Sequence, residues 1–85
     1  MNDPVSISTD NKATVVRIGA VSILFSYTSC VAFRAGEVAL VDPTYRGLSS
    51  TTSKHINGAG FRSAPDAASS DAFTKALGKA LKKAL

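Results

Sequence analysis

Val21-Ser22-Ile23-Leu24-Phe25-Ser26-Tyr27, then Cys30-Val31-Ala32-Phe33-Arg34, Ala35-Gly36 and Glu37-Val38-Ala39-Leu40-Val41, is the stretch that decides the fold. In the first run Val21, Ile23, Phe25 and Tyr27 fall on one face and Ser22, Leu24 and Ser26 on the other. That period of two is the mark of a half-buried strand. The second and third runs are rich in β-branched and aromatic residues, which suit a pleated, packed surface. Between them Gly36 can take a positive φ at no steric cost, so residues 30–41 read as a hairpin.

Upstream, Ala13-Thr14-Val15-Val16-Arg17-Ile18 is a further strand ended by Gly19-Ala20. Residues 1–12 are polar, hold Pro4 and have only Val5 and Ile7 to bury. They read as a flexible arm, or at most a short edge strand. Downstream, Asp42-Pro43 stops the last strand, because proline lacks an amide donor and restricts its predecessor. A turn-rich motif segment, 44–58, follows. In it Ser50 or Thr51 is expected to cap a short helix running to Asn57, with Gly58 as its stop. Residues 58–70 form a loop whose one large anchor is Phe61. Residues 70–85 then read as an amphipathic helix, with Ser70 as N-cap and Asp71 near the positive helix end. Phe73, Leu77, Leu81 and Leu85 repeat every four residues beside Ala76, Ala80 and Ala84, and lysines fill the other positions. A helix of that length needs a surface to lie on.

Eighty-five residues make one small domain with a thin core. One cysteine excludes an internal disulfide framework, and one cysteine with one histidine cannot complete a structural zinc site without a partner chain. Multidomain enzymes, disulfide-stapled scaffolds and zinc fingers are thereby set aside. The apolar stretch from Val15 to Val41 is interrupted by Arg17, Ser22, Ser26, Arg34, Gly36 and Glu37, so it falls short of the roughly 20 apolar residues of a membrane span. The first twelve residues lack the basic start and apolar block of a signal peptide. A reducing, intracellular setting fits a lone Cys30.

The net charge of +4 is unevenly placed. The last fifteen residues hold four lysines and one acid, while the rest of the chain is nearly neutral. Such a helix presents a solvated outer face, a phosphate-contacting face, or a surface for a partner. Catalytic constellations are hard to assemble from this composition. His55 and Cys30 stand 25 residues apart, and Cys30 opens an apolar strand. The acids Asp3, Asp10, Glu37, Asp42, Asp66 and Asp71 are scattered, and Gly58-Ala59-Gly60 matches no phosphate loop. No catalytic residue, metal ligand or cofactor is assigned.

Ser49-Ser50-Thr51-Thr52-Ser53-Lys54-His55-Ile56-Asn57 carries more. Hydroxyls, an ammonium and an imidazole near a helix start offer donors to a phosphate, with Tyr45 and Arg46 upstream for stacking and a guanidinium contact. The structural alternative is that Thr and Ser cap the helix, Ile56 enters the core and Lys54 faces water. The expected ligand contacts are Tyr45, Arg46, Thr51, Thr52, Lys54 and His55, assisted by Lys75, Lys79, Lys82 and Lys83.

The run Ser26-Tyr27-Thr28-Ser29-Cys30-Val31-Ala32-Phe33-Arg34, with Tyr45 and then Ser50-Thr51-Thr52-Ser53-Lys54-His55-Ile56-Asn57, resembles a pattern of small bacteriophage proteins of uncharacterised function. In these a Ser-Tyr-x-Thr-x-Val-Ala strand precedes a Ser-x-Thr-Thr-x-Lys-His-Ile-Asn element. The likeness spans roughly residues 24–57, and Ser29 stands where threonine is usual. It implies a phage origin and action in the host cytoplasm, and it implies no catalytic role.

The expectation is therefore an α+β fold: a small twisted antiparallel sheet of three to four strands, with the C-terminal amphipathic helix on one sheet face. Residues 13–85 form one domain, and its core comprises Ile23, Phe25, Val31, Phe33, Val38, Leu40, Ile56, Phe73, Leu77 and Leu81. Open sheet edges favour a homo-oligomer. The expected function is non-enzymatic binding of nucleic acid or another phosphate-bearing ligand. The alternative is a phage inhibitor that binds a host protein of antiviral defence or of replication, with no membrane partner in either case.

Overall fold

The computed structural model describes residues 5–10 and 12–84. It is an α+β fold built on one antiparallel meander of five strands in sequence order. These are β1 (Val5–Asp10), β2 (Ala13–Ile18), β3 (Val21–Ser26), β4 (Ser29–Ala35) and β5 (Val38–Val41). Helix α1 (Ser50–Ile56) leads into a π-helical turn at Asn57–Phe61, and α2 (Ser70–Ala84) closes the described chain. The strand count exceeds the expected three to four because Val5–Asp10 pairs along all of β2, from Val5 opposite Ile18 to Asp10 opposite Ala13. Of the two readings of these polar residues, arm or short edge strand, residues 5–10 take the second, with a backbone pairing that does not depend on a buried face. Residues 1–4 and 11 of that arm, and Leu85 of the helical repeat, lie outside the described residues.

Both faces of the sheet are covered, one helix to each. Leu24, Val31, Ala32 and Val41 pack with Ile56 and Phe61 on the α1 side. Val21, Ile23 and Phe33 pack with Phe73 on the α2 side, where the Phe33 and Phe73 rings meet edge to face at 5.5 Å. This corrects the one-sided reading of β3, because Leu24 and Ser26 are as buried as Val21 and Ile23. A bulge sharpens the arrangement. Leu24 pairs with Ala32 but Phe25 with Cys30, so Val31 is the extra residue, and both Val31 and Ala32 enter the α1-side core. One other core expectation fails: Val38, on β5 at the sheet margin, is 56% exposed. Tyr27, read as the end of the β3 face, is 55% exposed because it leaves the strand at the turn. Phe25, Leu40, Leu77 and Leu81 are half-buried at the margin of the α2 side.

The helix ends also differ from expectation. Ser49, not Ser50 or Thr51, caps α1, its Oγ accepting from the Thr52 N–H at 3.1 Å. Gly58 does not stop the helix. The chain runs on through the π-helical turn, and Gly60, at φ 92°, breaks it in the left-handed region that glycine tolerates. Ser69 caps α2, accepting from the Ala72 N–H at 3.1 Å. Ser70 is displaced from that role by Asp42, whose Oδ1 accepts from the Ser70 hydroxyl at 2.7 Å and from the Thr44 N–H at 3.0 Å. One buried carboxylate thus ties the end of β5 to the start of α2. Past it, Val41 donates to Pro65 and accepts from Ala67, so residues 65–67 lie along the outer edge of β5.

Candidate functional site

Thr52, His55 and Ile56 are three and four residues apart on α1, so one helix face carries all three against the sheet. Ser26 Oγ lies 2.8 Å from His55 Nδ1 and 3.2 Å from Thr52 Oγ1. All three polar side chains are buried, and their mutual hydrogen bonds offset the desolvation that burial imposes. Thr52 and His55, expected to meet a ligand, therefore fix α1 to β3. Thr51 and Lys54 point outward from the same helix and are exposed.

Arg46 is engaged inside the molecule. Its guanidinium pairs with Asp66 and reaches the carbonyls of Phe61, Arg62 and Ala64. That is the planar, multi-donor geometry for which arginine is suited, here closing the 61–66 loop. Tyr45 packs half-buried against the α1-side core. Lys75, Lys79, Lys82 and Lys83 are exposed on α2, on the opposite side of the sheet from Lys54. The expected ligand contacts are thus not one site. Among them, Lys54 and His55 alone line a cleft on the α1 side.

That side holds two adjoining clefts of about 340 and 410 Å³, which share Val15, Leu24, Gly58 and Ala59. The first is lined also by Ser8, Thr9, Lys54 and His55, the second by Arg17, Ser22 and Arg34. Register explains the second group. Arg17 pairs with Ser22 and Ser22 with Arg34, so the three stand in one row across β2, β3 and β4. Strand spacing puts the two arginine backbones about 10 Å apart, with a hydroxyl between them. Arg34 is steadied by a hydrogen bond to the Gly60 carbonyl at 3.2 Å and by the Phe61 ring 5.4 Å beneath its guanidinium. Further N–H donors of its fork remain for a ligand. Among the described residues the one ion pair is Arg46–Asp66, so Arg17, Arg34 and Lys54 form none, although Glu37 shares a neighbouring cleft with Arg34. The result is a groove with an apolar floor, hydroxyl walls and three cations. Sequence reading took Arg17 and Arg34 as interruptions of apolar strands. Their partnership lies in the strand register, which a run of residues does not display.

The α2 side carries a different depression of about 500 Å³. Phe33, Ala35, Val38, Ala76 and Ala80 form its walls, with Lys79, Lys82 and Lys83 at its rim. Cys30 sits at the margin of this layer, half-buried, and burial together with the nearby Asp42 pushes its thiol up from the usual 9.0 to about 11. A thiol so held is a poor nucleophile at neutral pH. Among the described residues no three His, Cys, Asp or Glu side chains converge, and no helix is long and apolar enough to cross a membrane.

Residues 4–75 match the model of a family described as "Family of unknown function (DUF8033)". No curated protein and no solved structure matches the chain.

Proposed function

The chain belongs to the DUF8033 family, whose function is unknown, and from its groove we propose that it is a non-enzymatic binder of phosphate-bearing ligands, nucleic acid foremost. The observation that carries this reading is the Arg17–Ser22–Arg34 row with Lys54 beyond it, three cations around adjoining clefts that form no ion pair among the described residues. Guanidinium forks suit phosphate oxygens, and backbone strands hold them at a fixed spacing. With the phage origin that the resemblance above implies, the host cytoplasm is the site of action we assign to it. Fluorescence anisotropy with labelled single-stranded DNA, duplex DNA and RNA tests it. Three neutralised phosphates give a log–log salt slope near −2, roughly a twentyfold loss of affinity between 50 and 200 mM salt. The triple variant Arg17→Ala, Arg34→Ala, Lys54→Ala flattens that slope. Absence of salt-sensitive binding at micromolar protein sinks the reading.

A second reading, inhibition of a host protein of defence or replication, is favoured by the α2-side depression. Its apolar walls, its exposed Val38 and its three rim lysines suit an acidic, apolar segment of a partner. Val38→Asp then abolishes capture of that partner and leaves oligonucleotide binding intact. Self-association is the third property we assign, through the open edge at β1, where Ile7 is 67% exposed. Sedimentation equilibrium over a hundredfold concentration range reads it directly, and a monomer throughout would remove it.

A further inference from the structure

We propose that Tyr27 is a base-stacking platform and that the ligand of the groove is a single-stranded nucleic acid; this rests on the phosphate-binding reading above. Tyr27 follows β3 in the tight turn to β4 and has φ 57°, in the left-handed region where glycine is favoured and a bulky side chain is strained. Turn geometry alone would be better served by glycine. The strain supports a ring that is 55% exposed. Strain of this kind concentrates where a side chain has a task beyond folding.

The position of the ring supports that task. Its centroid lies 5.9 Å from that of His55 at a tilt of 54°, and His55 lines the cleft together with Lys54. The Tyr27 N–H donates to the Lys12 carbonyl at 2.8 Å, joining the β3–β4 turn to the β1–β2 turn. Lys12, at φ 71°, is the other non-glycine residue with a positive φ among the described residues, and its side chain is exposed. An aromatic ring with cations close by is the combination that binds unpaired nucleotides, bases on the ring and phosphates on the charges. In a duplex both faces of each base are already occupied by its neighbours, so the ring favours an unstacked strand.

The chain has no tryptophan and two tyrosines, so a Tyr45→Phe variant makes Tyr27 the only fluorophore of its kind. Titration of that protein with a twelve-residue oligothymidylate is expected to quench the tyrosine emission. A twelve-base-pair duplex and inorganic phosphate, at the same charge concentration, should leave it largely unchanged. Tyr27→Gly weakens oligothymidylate binding about tenfold while keeping or raising the melting temperature, and Tyr27→Phe retains binding. Tyr27→Asn, which also tolerates the left-handed region, repeats the loss should the glycine variant fold poorly. Wild-type affinity in the glycine and asparagine variants, or equal quenching by the duplex, overturns the platform and leaves the phosphate groove standing. Quenching by a single nucleotide as strong as by the oligomer overturns the strand and keeps the stacking. Absence of salt-sensitive binding to any of the probes overturns both.

Discussion

The two faces of the sheet carry opposite solutions to the same problem. On the α2 side the strands present apolar residues to a helix, and the lysines stand outside on that helix. On the α1 side a seven-residue helix covers only part of the sheet, and the arginines stand on the strands themselves. A lysine on an exposed helix swings through a wide arc, whereas Arg17 and Arg34 are spaced by the backbone hydrogen bonds of three strands. The short helix is what leaves the groove open. Its grip depends on the Ser26–Thr52–His55 hydrogen bonds as well as on Ile56 and Phe61, because so few residues cannot bury enough apolar area alone.

The comparison breaks most severely at Phe73, which is buried and meets Phe33 edge to face. Phe73→Ala is expected to cost about 3–5 kcal/mol, a large part of the stability of so small a domain, as read by urea denaturation. Next is His55→Ala, which leaves the Ser26 hydroxyl buried with one partner fewer. It should cost about 2 kcal/mol, and a smaller loss would show that the α1 side is held by apolar contacts alone. Arg17→Ala is expected to leave stability within about 0.5 kcal/mol. It lowers the log–log salt slope of oligonucleotide binding by about 0.7, whereas Lys83→Ala changes neither. An equal effect at Lys83 would erase the distinction between the faces.

The mildest effect belongs to Cys30. Its folded-state thiol ionises near pH 11 and the unfolded one near 9.0, so above pH 9 the unfolded chain gives up its proton first. The stability that Cys30 contributes is complete below pH 9 and is lost as the pH rises toward 11. Denaturation midpoints of wild type and Cys30→Ala should converge over that window, and parallel curves would mean that Cys30 is better solvated than its surroundings imply.

The strands and α2 were legible because their periods are local. Val21–Ser26, the 30–41 hairpin and the Phe73–Leu77–Leu81 repeat can each be read without knowing their neighbours. The second face of β3 was not. Ser22, Leu24 and Ser26 look like a solvent face until a helix some 25 residues on covers Leu24 and Ser26. β1 was read only as an arm or at most a short edge strand for the opposite reason, since its pairing is backbone to backbone and needs little apolar pattern. In the candidate site the Thr-Thr-Ser-Lys-His segment was noticed for its donors, yet burial commits Thr52 and His55 to the fold. Arg46 had a partner twenty residues away in Asp66, a distance that sequence spacing does not reveal. Lys54 was anticipated at the groove. Arg17, Ser22, Arg34 and Tyr27 were hidden among residues that read as strand.

The two edges of the sheet are not equivalent. Residues 65–67 lie against Val41, so the outer edge of β5 is closed at one end and only Val38 to Leu40 stay uncovered. β1 presents a full six-residue margin. A molecule with two open margins can add copies at both and grow without limit, whereas one with a single usable margin runs out of partners after the first. On the self-association proposed above, strand-to-strand assembly through β1 would therefore stop at a symmetric pair. The backbone turn that brings Pro65 and Ala67 beside β5 would then be what keeps a second copy off that end of the strand.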